Sequence, residues 1–275
     1  DVHACPRLRP VTFPNSLSIG DDMAAPSDQP LVPEWLVEPT DANSLAAAVW
    51  PDGARRHDDG TLVIGGVSTT DLAERFGTPL YVVDEGVVRG RAARLRAAFE
   101  SAAAAHGTTA RVYYASKALL TTEIVRWVTA EGLSVDVATG GELAVALAAG
   151  ADPALVGLHG NNKSVAELDQ AVALGIGSVV IDSAIEVERL AQAAARAGIV
   201  QKVLVRVNSG VHAETHDFLA TAHEDQKFGF PLSAADAIVA RIRELDSLSF
   251  VGMHCHIGSQ IFGTAGFRES AARLM

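Results

Sequence analysis

A strand–helix alternation that starts near residue 86 and runs to the last residue constrains the fold of this chain more than any other feature. A helical pattern over 86–105 leads to the strand ARVYYAS (110–116), a helix over 121–132 and the strand LSVDVAT (133–139). A helix over 141–150, the strand ALVGLHG (154–160), a helix over 164–175 and the strand SVVIDS (178–183) continue the series. It closes with a helix over 184–198, the strand KVLVRVN (202–208), a longer connection over 209–232, a helix over 233–245, the strand LSFVGMHCHIG (248–258) and a helix over 264–275. The strands are near-continuous apolar runs, the pattern of strands covered on both faces. Their spacing of about 20–30 residues leaves room for the helical crossover that parallel neighbours require. Six such strands suit either a doubly wound sheet or an unfinished (β/α)8 barrel. No GxGxxG follows any of them, which weighs against dinucleotide binding.

Upstream, residues 1–45 are rich in Pro, Ser and Asp and lack periodicity, so a flexible leader is expected. Residues 46–85 form an N-terminal segment. It holds a strand in TLVIGGV (61–67), a short helix over 69–77 with Thr70 or Asp71 as cap and Gly77 as stop, and a strand over 80–85. Residues 86–275 are the α/β body. The chain is 48% hydrophobic, enough for a large core, and its net charge of −11 argues against nucleic acid and anionic membrane surfaces as partners. No apolar run reaches the ~18 residues of a spanning helix. Cys5 and Cys255 do not make a disulfide framework, and a reducing cytoplasm fits them. The chain starts at Asp1 and ends inside a helical pattern, ESAARLM, without a stop signal. It therefore reads as a piece of a longer protein.

Parallel α/β folds gather their chemistry at the C-terminal ends of strands. Those ends carry Lys117, Asp136, His159 with Asn161 and Asn162, Asp182, Arg206 with Asn208, and His254, His256 and Ser259. Lys117 sits between two apolar blocks that shut it off from bulk water. It is either a rim lysine snorkelling outward or a Schiff-base lysine whose amine condenses with an aldehyde. Asp136 could cap a turn or pair with Lys117. In ATGGE (138–142), Thr139 and Glu142 have the spacing of a capping box. His254 and His256, two apart, share one side of a strand. They could be core histidines, a metal pair, or include a ring stacked on a cofactor. HIGSQ (256–260) offers a tight turn suited to a phosphate, and HGNNKS (159–164) offers amide donors and Lys163.

YYASKA, SVDVATGGE, GLHGNNKS, RVNSGV, THDFLATAHEDQKFGF and GMHCHIGSQ together resemble the diaminopimelate decarboxylase family. This is a branch of the fold-type III enzymes that use pyridoxal 5′-phosphate (PLP), akin to ornithine and arginine decarboxylases. The resemblance runs from about residue 55 onward. It implies a (β/α)8 TIM-type barrel of the alanine racemase-like PLP family, truncated here before its last strands and its C-terminal β domain, to which residues 46–85 contribute in part. It also implies that Lys117 carries PLP as a Schiff base, that His256 stacks on the pyridine ring and that Ser259 binds the phosphate. Asp136, His159 and Arg206 would line the cofactor site. On this reading Lys117 and His256 are catalytic and no metal takes part.

The implied reaction decarboxylates meso-diaminopimelate at its D-configured centre, giving L-lysine, in a cytoplasmic homodimer. Ser209 and Glu214 stand where the family usually has proline and often histidine. The family's EPGR- and CESGD-type segments and its later Gly-rich phosphate turn would lie beyond Met275. Three alternatives compete: a decarboxylase of ornithine, arginine or carboxynorspermidine, a metal-dependent barrel hydrolase using His254 and His256, and an inactive homologue that binds partners. The intact Lys117 and His256 weigh against the last.

Overall fold

The computed structural model describes residues 41, 43–47, 49–211, 228–259, 261 and 263–275. The chain divides into two compact units, 1–44 and 45–275. The expected leader lies, apart from a few residues at its end, outside the described residues, as does most of THDFLATAHEDQKFGF.

The second unit opens with a small antiparallel sheet of β1 (Arg55–Arg56), β2 (Leu62–Ile64) and β3 (Val67–Ser68), followed by α1 (Thr69–Phe76). The cap of α1 is Ser68, not Thr70 or Asp71, because its hydroxyl reaches back to accept from the backbone N–H groups of both. Gly77 ends the helix as expected. The strand expected over 80–85 does not form. Leu80, Tyr81, Val82 and Val83 are exposed, Tyr81 at 99%, and Asp84 turns instead to cap α2 (Glu85–Ala104). A strand needs a partner for its N–H and C=O groups, and among the described residues this segment has none.

The body is a parallel sheet whose strands lie in sequence order: β4 (Tyr113–Ala115), β5 (Ser134–Val137), β6 (Val156–Leu158), β7 (Ser178–Ile181), β8 (Gln201–Asn208) and β10 (Leu248–His254). The short β9 (Phe230–Pro231) pairs beside the end of β8, a strand the periodicity does not show. A doubly wound sheet would reverse direction at its first strand. The monotonic order seen here is that of a (β/α) barrel wall, with β4 and β10 as its two edges among the described residues.

The crossovers are α3 (Thr122–Ala130), α4 (Gly140–Ala148), α5 (Val165–Leu174), α6 (Ala184–Ala197) and α7 (Ala235–Arg243), and α8 (Ala265–Leu274) follows β10. Side-chain caps set several of their starts: Thr121 for α3, Thr139 for α4 and Ser164 for α5. Val135, Val137, Val156, Leu158, Val179, Ile181, Val203 and Val205 of the sheet pack in one core with Leu143, Leu168 and Leu190 of the helices. That core holds the strand ends in register, so polar residues near those ends converge on one side of the sheet.

Candidate active site

Lys117 follows β4 in a single turn of 3-10 helix, Ser116–Ala118. The turn is fastened on both sides. Tyr114 Oη donates to the Leu119 carbonyl at 2.6 Å, and the buried Ser116 Oγ donates to Glu142 Oε2 at 3.0 Å. Glu142 thus departs from the expected capping box. Its backbone N–H does donate to Thr139 Oγ1, but its carboxylate accepts from the Ala138 N–H at 2.6 Å and from Ser116. The complete box is at Ser164 and Glu167, starting α5. Lys117 itself is exposed, contrary to the expectation from its apolar flanks, because it follows an edge strand and its amine opens onto a cavity.

That cavity has a volume of about 280 Å³ and lies at the C-terminal ends of the strands. Five of the six expected site residues line it: Lys117, Asp136, His159, Arg206 and His256. The sixth, Ser259, stands exposed three residues past His256 and is not part of the lining. Asp136 contacts His159 rather than Lys117, with Oδ1 3.4 Å from Nε2. His159 in turn meets His254 edge to face, ring centroids 4.8 Å apart. Arg206 donates to Asp182 Oδ1 at 3.4 Å and lies over the Phe228 ring at 5.3 Å. Phe228, which nothing in the sequence singles out by itself, forms a further wall and stands near the end of THDFLATAHEDQKFGF. Lys163, offered from the sequence as a donor to the site, is 3% exposed and points elsewhere.

Burial dominates the electrostatics. It pushes the Asp136 carboxyl up to about 7, with Lys117 pulling it back and Glu142 adding to the rise. It lowers His159 to about 4, helped by the positive charges of Lys163, Arg206 and Lys117. His254 falls to about 3 and His256 to about 4, again mainly through burial. At neutral pH the cavity therefore presents three uncharged imidazoles, a carboxyl near its midpoint and two cations, a balance that favours an anionic guest. His254 Nδ1 is buried and has no hydrogen-bond partner among the described residues. A primary amine on the cavity wall, flat neutral rings and a positive lean fit a planar phosphate-bearing cofactor.

The chain belongs to the pyridoxal-dependent decarboxylases: the model of their pyridoxal-binding domain matches residues 92–275. Among curated relatives, it is 52% identical to the diaminopimelate decarboxylase of Mycobacterium leprae over 87% of this chain and 50% of the relative. It is 42% identical to that of Bacillus subtilis over 80% of this chain and 50% of the relative. The chain thus spans about half the length of the curated relatives it matches. The solved diaminopimelate decarboxylase of M. jannaschii superposes with a TM-score of 0.75 at 30% identity, covering 82% of this chain and 52% of that one. The Helicobacter pylori diaminopimelate decarboxylase, solved in complex with L-lysine, superposes with a TM-score of 0.65 at 26% identity, covering 74% of this chain and 50% of that one.

Proposed function

We propose that the whole-length protein decarboxylates meso-diaminopimelate to L-lysine and CO2 with PLP as cofactor. The single observation that carries this is the convergence of Lys117, Asp136, His159, Arg206 and His256 on one cavity in a chain of the pyridoxal-binding family. The substrate is taken from relatives named for it at 42–52% identity, and a solved relative that holds L-lysine supports the choice.

PLP, when bound, supplies an electron sink for the bond broken at the amino-acid α-carbon. The chain's residues bind and orient. Lys117 Nζ would hold the cofactor, and as a free amine in the cavity it could carry a proton. His256, kept neutral by burial, offers a flat uncharged face to an aromatic ring. Arg206, paired with Asp182 at 3.4 Å, would be available to a phosphate or carboxylate. Asp136, raised to about 7, lies 3.4 Å from His159, lowered to about 4, so a proton held by this pair would sit on the carboxyl. Ser259 is proposed as a phosphate ligand on family resemblance.

On the same resemblance the whole-length protein is a cytoplasmic homodimer, and no described helix is long and apolar enough to cross a membrane. Residues 46–85 are proposed to contribute to a β domain. The exposed Leu80–Val83 segment, unpaired among the described residues, supports this, since it offers backbone groups and apolar side chains to an added strand.

The test uses the whole-length protein and its Lys117→Ala variant. Borohydride reduction in the presence of PLP should fix the cofactor to Lys117, and the variant should lose both that adduct and, by several orders of magnitude, CO2 release from meso-diaminopimelate. Labelling of another lysine would refute the site, and faster turnover of ornithine, arginine or carboxynorspermidine would refute the substrate.

A further inference from the structure

Lys163 is the most buried of the described lysines, and its amine is fully used. Its three N–H groups donate to the Gly160 carbonyl, the Val180 carbonyl and Glu186 Oε1, each at 2.7 Å. The Lys163 and Glu186 side chains are 2% and 3% exposed. Three elements meet at this amine: the loop after β6, the strand β7 and the helix α6. A buried ion pair is weak ground for stability, because apolar residues of similar volume often serve as well. An apolar replacement would reproduce none of the three bonds, and the one to Gly160 is the one that reaches the cavity wall.

That contact belongs to the cavity. His159, Gly160 and Asn161 all line it. The last sheet bond before them is from the His159 N–H to the Val137 carbonyl, 2.7 Å. Beyond it the chain reverses through two left-handed residues, Gly160 (φ 88°) and Asn162 (φ 52°). No ladder holds this turn, and the Lys163 amine fastens its carbonyl to β7 and α6.

We propose that Lys163 is a positioning residue: its amine clamps the 159–162 turn through Gly160 so that His159 and Asn161 are set for the cofactor, with Glu186 as its counter-ion. This rests on the reading of the cavity as a PLP site.

The experiment compares K163M, E186Q and K163M/E186M in the whole-length protein, measuring the melting temperature of the apoprotein and PLP affinity by absorbance titration. K163M should lose stability and bind PLP about tenfold more weakly, the worth of one hydrogen bond from a charged donor. K163M/E186M removes the orphaned charge, so it should regain stability yet keep the weakened affinity. E186Q retains the lysine and its two carbonyl bonds. It should melt lower than wild type while holding PLP within about threefold of it. A double variant that regains PLP affinity along with stability overturns the inference. So does an E186Q that loses affinity as K163M does. Wild-type protein that takes up no PLP overturns the cofactor reading, whereas normal uptake by wild type and all three variants overturns this inference alone.

Discussion

Two glycines with nearly the same backbone angle separate conformational strain from contact. Gly150, after α4, has φ 89° with nothing within 4 Å of an added Cβ, whereas Gly160 has φ 88° and its added Cβ would lie 2.4 Å from the Ala138 carbonyl oxygen. Gly150→Ala should therefore cost only the left-handed penalty, about 1–2 kcal/mol. A carbon approaches a carbonyl oxygen to about 3.3 Å, so Gly160→Ala must open the gap by roughly 0.9 Å. The oxygen is backbone, at the end of β5, and its neighbour Ala138 N–H is already bonded to Glu142. Relief by a side-chain rotamer is not available, and overpacking adds about 1–3 kcal/mol. The difference between the two variants should thus be about 1–3 kcal/mol, measured as the shift in urea midpoint multiplied by a common m-value. Ala138 and Gly160 both line the cavity, so Gly160→Ala should also weaken PLP binding while Gly150→Ala does not. Equal destabilisation by the two, or unchanged PLP affinity in Gly160→Ala, would refute the reasoning.

His256→Ala should lower PLP affinity in absorbance titrations yet leave Lys117 open to borohydride trapping, because the ring orients and the amine bonds; loss of trapping would show that His256 does more. Acidification should destabilise the apoprotein. His159, His254 and His256 titrate at about 4, 3 and 4 when folded against 6.5 as the ordinary value, so the unfolded chain binds more protons between those limits. Stability is then complete above about pH 6.5 and declines as pH falls toward 4. Asp136, raised to about 7 from 3.8, and Glu186, also raised by burial, act in the opposite sense, two groups against three. A melting temperature that stays level or rises from about pH 7 to pH 5 would contradict the burial of these rings.

Apolar periodicity alone was enough for the parallel α/β body, the positions of its six main strands and the residues at their C-terminal ends. All three are local properties: covered strands must be apolar throughout, and a strand's end is visible wherever a Gly or a polar residue interrupts the run, as at Asp136, His159 and Asp182. Family motifs then singled out Lys117 and His256. Tertiary structure decided what depends on neighbours distant in the chain. The run over 80–83 has a strand's composition, yet it pairs with nothing among the described residues. Glu142 has the spacing of a capping box, yet the nearby Ala138 N–H and Ser116 hydroxyl take its carboxylate. Asp136 turns to His159 because β5 and β6 lie side by side. Lys163, outwardly one more donor in a polar motif, is drawn inward by two carbonyls and a carboxylate from three elements. Lys117, enclosed by apolar sequence, comes out exposed at a sheet edge. Apolar periodicity records how much of a side chain must be covered. Which polar group meets which is settled only when strand register and helix packing bring their atoms within about 3 Å.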